Sequence, residues 1–215
     1  MKFGELLHIV GDRPVFSSSL LRVGDIDPVG IASQLSRWAA SGKLLSLRRG
    51  VYAVARPYRR REPHAFEVAN LLVRPSYISL ESALAYHGLI PEAVYVTTSV
   101  TTARTSHYET PLGRFDYRHI SPALMWGYAE ERLAAHASST ALVARPEKAL
   151  LDLVYLRPGA DSEGFLRQLR LDRLEALDIR MLAEYAERAG RPKLIRAARH
   201  ISRMADERAG EWRTL

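Results

Sequence analysis

The chain has 215 residues, of which 47% are hydrophobic and 26% are charged, and its formal net charge is +7. This composition predicts a soluble globular protein of one large or two small domains, and no apolar run approaches the roughly 20 residues that a membrane-spanning helix needs. The first residues, MKFGELLHIVGDR, lack the apolar stretch of a signal peptide, and the lack of cysteine excludes disulfides and cysteine-ligated zinc, so we expect a cytoplasmic protein.

The excess positive charge lies in the first third of the chain. Residues 1–61 contain eleven Lys and Arg against four acidic residues, whereas the rest of the chain contains 20 of each sign. A basic region of this kind is typical of a small domain that contacts a polyanion. Arginine far outnumbers lysine throughout the chain, which genome composition alone could also produce.

The first 56 residues predict three helices followed by a hairpin. The apolar spacing from Phe3 to Val10 indicates a short first helix, and the serines from Ser17 to Ser19 are N-cap candidates for a short second helix that ends at Gly24. A third helix is predicted from Val29 to Ser41, after an Asp-Pro start signal and before a glycine.

The third predicted helix has a small, polar outer face. Its inward positions are Ile31, Leu35, Trp38 and Ala39. Its outer face then carries Ser33, Ser36, Arg37 and Ala40. Small residues with hydrogen-bonding tips suit a helix that enters a DNA groove about 12 Å wide.

Two short β-prone runs, residues 43–47 and 51–54, flank the sequence Arg48-Arg49-Gly50 and predict a hairpin. Three helices and a hairpin in this order indicate a winged helix-turn-helix domain, in which the third helix lies in the major groove and the hairpin, or wing, lies over the backbone. Arg48 and Arg49 would then pair with phosphates or probe the minor groove, and Gly50 would supply the positive φ of the turn. An arginine pair in a turn is also compatible with simple solvation.

The segment from Ala55 to His64, ARPYRRREPH, predicts an exposed basic linker that either adds phosphate contacts or is merely solvated. The predicted base contacts are Ser33, Ser36 and Arg37, and the predicted phosphate contacts are Lys43, the wing and the linker. The complete predicted DNA-binding set is Ser17, Ser33, Ser36, Arg37, Lys43, Arg48, Arg49, Gly50, Arg59, Arg60 and Arg61.

The remainder of the chain predicts an α+β domain. Its expected elements are a helix over 65–73, a helix capped by Ser79 that runs to Tyr86, strands over 93–101 and 113–120, weaker strands over 124–128 and 140–143, a helix that opens at Pro146, and helical structure over 162–208. The predicted fold class is α+β, with a winged helix-turn-helix domain at 1–56, a basic linker at 57–64, and an α+β domain at 65–215 that has a small, mostly antiparallel sheet and C-terminal helices.

The sequence carries no nucleophile elbow, phosphate-cradling loop or zinc-protease motif. His107, Glu109, Asp116 and His119 could lie together on a hairpin, but their spacing matches no standard metal site and favours ordinary surface residues. We therefore expect no enzyme activity, no cofactor and no metal.

A second possibility is a DNA-directed, nuclease-like enzyme or a ligand-responsive regulator. Glu147, Lys148 and Asp152 could form a nuclease-like cluster within two turns of a helix. A first-turn dipole partner and an ion-pair residue are the favoured interpretation of these carboxylates.

Three segments carry a family resemblance. Asp27 to Val54, DPVGIASQLSRWAASGKLLSLRRGVYAV, resembles the winged helix of the AbiEi family, the antitoxins of type IV toxin–antitoxin systems. Tyr77 to Glu92 and Val143 to Leu156 resemble segments of the domain that follows in that family. The resemblance implies a repressor that binds repeats in the promoter of its own operon and counteracts a nucleotidyltransferase toxin through the second domain, without necessarily forming a complex with it.

Overall fold

The structure is a computed structural model that describes residues 1–21, 28–91, 94–133, 139–171, 174 and 177–211. It combines helices with two sheets. The helices are α1 (Phe3–Val10), α2 (Pro28–Ala40), α3 (Ala65–Leu72), α4 (Leu80–Tyr86), α5 (Pro146–Leu156), α6 (Glu163–Gln168), α7 (Ile179–Ala189) and α8 (Pro192–Glu211). The strands are β1 (Val15–Ser17), β2 (Leu44–Arg48), β3 (Val51–Val54), β4 (Ser76–Ile78), β5 (Val96–Thr101), β6 (Ser106–Thr110), β7 (Gly113–His119), β8 (Tyr128–Arg132) and β9 (Thr140–Ala144).

Residues 1–56, the N-terminal part, form an antiparallel sheet in the order β1-β3-β2 that packs against α1 and α2. The predicted first helix, third helix and hairpin are all confirmed, to within a residue at their ends. Of the predicted second helix, the described residues contain only a 3-10 turn, Ser18–Leu21, and the remainder up to Gly24 lies outside the described residues, as does Asp27.

The other face of this three-stranded sheet is also buried. Val15, Leu47, Val51 and Ala53 belong to the same apolar cluster as the core of residues 65–211, the second part, and α3 packs on β1. Leu47 lies on this face because it follows Leu45 by two residues on β2, and strand side chains alternate between faces. The N-terminal part and the second part therefore share a hydrophobic core.

The second part is built on a six-stranded sheet in the order β6-β7-β5-β4-β9-β8. The pairs β6/β7, β4/β5 and β8/β9 are antiparallel, whereas β5/β7 and β4/β9 are parallel. The expected sheet was small and mostly antiparallel. Three of its five strand pairs are antiparallel, as expected, but the described sheet is larger and mixed, because the unpredicted strand β4 joins two groups of strands at its centre.

The weak strand expected over 124–128 is wrong. Pro122–Leu124 forms a 3-10 turn, and the strand starts only at Tyr128. Between them Gly127 has a φ of 78°, and a Cβ there would lie 2.9 Å from the side chain of Lys148, so the chain passes directly over α5.

Helix α5 is buried along most of its length, between the sheet and the helices α4, α7 and α8. The helical structure predicted over 162–208 is present as α6, α7 and α8. Among the described helices, none is both long enough and apolar enough to cross a bilayer.

Candidate nucleic-acid interface

The outer face of α2 carries the three predicted base contacts. Ser33, Ser36 and Arg37 are all exposed. The opposite face is anchored by Leu35 and Trp38, which are buried against α1 and the sheet. The outer face is therefore free of the second part, and its side chains are small except for one guanidinium group.

The hairpin tip, residues Arg48 to Gly50, presents both predicted phosphate contacts. Arg48 and Arg49 are exposed, and within the described part of the chain no carboxylate lies at ion-pair distance from either. Burial raises the pKa of Tyr117 in the second sheet, Tyr108 raises it further, and the charge of Arg48 partly opposes this rise. Arg48 therefore lies on the side of the hairpin tip that faces Tyr117, and both arginines of the tip are exposed.

Gly50 acts through its backbone. Its φ of 78° confirms the predicted positive φ, and its carbonyl accepts a hydrogen bond of 2.8 Å from the backbone nitrogen of Ser18. A Cβ at Gly50 would lie 3.2 Å from the Ser18 hydroxyl. The hairpin tip is therefore tied to the 3-10 turn that follows β1, and Gly50 positions the arginines.

Ser17 and Lys43 are both engaged within the N-terminal part. The Ser17 hydroxyl oxygen accepts hydrogen bonds from the backbone nitrogen and the hydroxyl of Ser19, at 3.3 and 2.9 Å. The ammonium nitrogen of Lys43 lies 5.2 Å from the ring centroid of Phe3, a cation–π contact with α1.

The prediction of an exposed linker is wrong for Arg59 and Arg61, whose side chains are each only 8% exposed. Arg59 pairs with Glu62, and Arg61 donates to Glu67 at 2.7 Å and to the Ser139 hydroxyl at 2.9 Å. These two guanidinium groups bind carboxylates of their own chain because those acids follow them closely in sequence.

Arg60 is exposed, as predicted, with 71% of its side chain accessible. Its guanidinium group nevertheless lies 2.9 Å from a carboxylate oxygen of Asp12. All three linker arginines therefore have an acidic partner in the described structure, whereas the two hairpin arginines have none there.

Glu67 also caps α3. Burial acts to raise its pKa, but hydrogen bonds from Arg61, Ser139 and the backbone nitrogen of His64 outweigh burial, so the pKa lies below its ordinary value. The Nδ1 of His64 in turn accepts from the Phe66 backbone nitrogen at 3.1 Å. A His-x-x-Glu pattern before an apolar helix is the sequence signal that could have revealed this capping box.

The carboxylates of the nuclease-like alternative face the core. Glu147 is 3% exposed and accepts a hydrogen bond of 2.8 Å from the backbone nitrogen of Asp178, at the start of α7. Lys148 and Asp152 are each 2% exposed and form an ion pair with each other. These residues hold α5 in place and do not line an accessible cleft.

The Lys148–Asp152 pair is surrounded by polar and aromatic partners. Tyr77 and Ser79 donate to Asp152 at 2.9 and 2.8 Å, so the Ser79 hydroxyl does not cap α4 as predicted. The Lys148 ammonium nitrogen lies 5.4 and 5.2 Å from the ring centroids of Tyr77 and Trp126. Burial raises the pKa of Asp152, and the Lys148 charge opposes that rise.

The histidines of the β6–β7 hairpin do not converge. His107 pairs with Asp116 across the hairpin and lies 3.7 Å from Glu109, whereas the Nδ1 of His119 lies 2.9 Å from the carbonyl oxygen of Ala103. In the described ranges, no group of three or more His, Asp or Glu side chains is arranged to hold a metal ion.

No family model matches this sequence, and a comparison with curated proteins finds no significant match. The function therefore has to be inferred from the exposed face of α2 and the hairpin tip.

Proposed function

We propose that this protein is a transcriptional repressor that binds double-stranded DNA through a winged helix-turn-helix in its N-terminal part. The observation that carries the proposal is the exposure of Arg48 and Arg49 at a glycine-containing hairpin tip, with no carboxylate partner in the described chain, beside a helix whose outer face is also exposed. Paired guanidinium forks in this state suit phosphate oxygens.

The order of the elements supports a winged helix. A helix, a short strand, a 3-10 turn, the helix α2 and the hairpin β2–β3 follow one another, and β1 adds to β3 to form the three-stranded sheet. In such domains the helix before the hairpin enters the major groove. At 13 residues, α2 extends about 20 Å, enough to cross a groove about 12 Å wide.

The outer face of α2 and the hairpin tip would contact different parts of the duplex. Ser33, Ser36 and Arg37 would contact base edges, where a guanidinium can donate two hydrogen bonds to guanine. The hairpin arginines would contact phosphates, which set the position and the affinity of the protein on the duplex but do not read sequence.

A salt titration tests this proposal. The full chain is titrated with a duplex from upstream of its own gene at several salt concentrations, as wild type and as the Arg48→Ala, Arg49→Ala double variant. We expect at least tenfold weaker binding by the variant and a log–log salt slope that is shallower by up to about two units.

A matched control removes the same charge elsewhere. Arg114 and Arg118 are exposed on β7, also beside a hairpin, so the Arg114→Ala, Arg118→Ala variant changes the net charge by the same amount. We expect this control to bind like the wild type. Equal losses in the two double variants, or no loss in either, would reject the proposed interface.

We further propose that the protein acts as the antitoxin of a type IV toxin–antitoxin system and represses its own operon. The support is the resemblance of its three segments to the AbiEi family, one in the N-terminal part and two in the second part. An adjacent gene for a nucleotidyltransferase-like toxin is expected. Co-expression with this chain should restore growth to cells that express the toxin.

The hairpin double variant separates the two roles. If the second part carries the antitoxin activity, the Arg48→Ala, Arg49→Ala variant should lose repression of a promoter reporter yet still protect cells from the toxin expressed from an unrelated promoter. Loss of protection at wild-type protein levels would contradict this division of labour.

A further inference from the structure

A cavity lies where the N-terminal part meets the second part. Its volume is about 990 Å³, and its walls come from β1, the 3-10 turn, α3 and the strands β8 and β9. We call it the junction cavity. Cavities that bind small molecules typically measure about 300–1,000 Å³, so this one is large enough for an organic ligand.

Two arginines with free charges stand at the junction cavity. Arg13 and Arg74 both line it and are exposed, and neither forms an ion pair or a side-chain hydrogen bond within the described residues. The cavity also holds the carboxylates of Glu67, which Arg61 neutralises, and of Glu130, which accepts a hydrogen bond of 2.9 Å from Thr140. Glu130 keeps its negative charge because a hydroxyl does not neutralise a carboxylate, so the lining, with three arginines against two glutamates, has a net charge of +1.

Two buried donors in the same wall lack an acceptor. The Nε of Arg61 and the Nδ2 of Asn70 have no hydrogen-bond partner in the described structure. The Asn70 carbonyl oxygen accepts from the backbone nitrogen of Leu142 at 2.6 Å, which fixes the amide with its NH₂ group unpaired. A buried donor without an acceptor costs about 1–3 kcal/mol, and a ligand oxygen would remove that cost once the atoms that cover the donor move aside.

We propose that the junction cavity binds a small organic phosphate, an ester with an apolar or aromatic body. A phosphate monoester carries about −1.5 to −2 charges at pH 7, which attract the exposed guanidinium groups of Arg13 and Arg74, and it offers three acceptor oxygens to them. Leu71 and Tyr128 are half-buried and supply an apolar wall for the body of the ligand. The site does not depend on the proposed DNA binding.

Calorimetry on the full chain without DNA tests the site, with phenyl phosphate as the probe and inorganic phosphate and phenol as its two halves. We expect phenyl phosphate to bind more tightly than either half. The Arg74→Ala variant should bind it at least tenfold more weakly, because a hydrogen bond to a charged group contributes about 1.5–3 kcal/mol.

Two further variants make the test specific. Asn70→Asp keeps the oxygen that accepts from Leu142 but replaces the free donor with a negative charge, so it should also weaken binding at least tenfold. Arg114→Ala, at an exposed position of β7, should bind like the wild type. Thermal melts confirm folding of each variant. Absence of phenyl phosphate binding by the folded wild type, or equal binding by all three variants, would overturn the proposal.

The same arginines could instead contact a phosphate of the DNA backbone. An Arg74→Ala variant that binds DNA more weakly, in a protein whose wild type binds no phenyl phosphate, would assign the phosphate to the duplex and overturn the small-molecule site. Phenyl phosphate binding that Arg74→Ala abolishes, with DNA affinity unchanged, would support it.

Discussion

Two groups of arginines lie close together in the sequence but differ in exposure and in ion pairing. Arg48 and Arg49 are exposed at the hairpin tip with no acidic partner among the described residues, whereas Arg59 and Arg61 are only 8% exposed and bind Glu62 and Glu67. Amino-acid composition alone does not distinguish the hairpin arginines from the linker arginines. The difference lies in the carboxylates that follow within a few residues of the linker and that are lacking on either side of the hairpin.

This contrast separates charges that hold the fold from charges that are available to a partner. Removal of an arginine from a buried ion pair is destabilising because its carboxylate stays buried without a cation, and such an arginine would have to leave that carboxylate to reach DNA. An exposed, unpaired arginine contributes little to stability and can bind a phosphate at once. Variants of the two kinds should therefore fail in different assays.

The largest loss of stability is expected when the buried ion pair between Lys148 and Asp152 is broken. Lys148→Met leaves Asp152 without its cation, and we expect the free energy of unfolding to fall by about 3–5 kcal/mol, measured by chemical denaturation. The free energy of unfolding of the double variant Lys148→Met, Asp152→Leu should fall by less than that of Lys148→Met. Lys2→Met, at an exposed lysine, is the control and should change stability by less than about 0.5 kcal/mol.

Arg61→Ala tests the linker side of the contrast. It leaves Glu67 largely buried without its guanidinium partner, and we expect a loss of about 2–3 kcal/mol in the free energy of unfolding. The salt slope of DNA binding should stay unchanged. The contrast would fail if Arg61→Ala made that slope shallower by about one unit, because Arg61 would then contact a phosphate.

Arg37→Ala tests sequence reading by the outer face of α2. We expect it to reduce the preference for the operator over an unrelated duplex by about 1–3 kcal/mol, as the ratio of the two dissociation constants. The hairpin double variant should weaken both duplexes alike. Equal weakening of both duplexes by Arg37→Ala would instead make Arg37 a phosphate contact.

The smallest effect concerns acid stability. The folded-state pKa of Glu67 lies below its ordinary value near 4.5, so the stability that its ionised form provides is present above about pH 4.5 and is lost as the pH falls through the folded-state pKa. Compared with Glu67→Gln, the wild type should be more stable by about 1 kcal/mol at pH 7, and denaturation curves of the two should converge on acidification. A difference that does not change with pH would contradict this assignment.

The parts of the fold that local signals encode were predictable. Pro28 and Gly42 mark the ends of α2, and Gly50 between two β-prone runs marks the hairpin. Strand β4 has only three residues, Ser76–Ile78, too few for a periodic pattern, so neither it nor the parallel pairs of the sheet were foreseen.

Contacts between distant residues were equally invisible. Ser79 looks like an N-cap, but Asp152, 73 positions away, takes its hydroxyl. Arg61 looks like a solvated cation, but its pocket includes Ser139, 78 positions away. In the candidate interface, the exposure of Ser33, Ser36 and Arg37 followed from helical periodicity, whereas the pairing of the linker arginines depended on tertiary structure.

The sheet that is buried on both faces ties the hairpin to the bulk of the molecule. With Leu47 and Val51 anchored in the main core, the hairpin tip cannot swing on its own, and the nuclear-spin relaxation of residues 44–54 should report the same tumbling time as that of α5. On a duplex, the seating of the hairpin would then dictate the direction in which the second part projects. Two copies on neighbouring repeats would meet or miss each other according to the helical phase between those repeats.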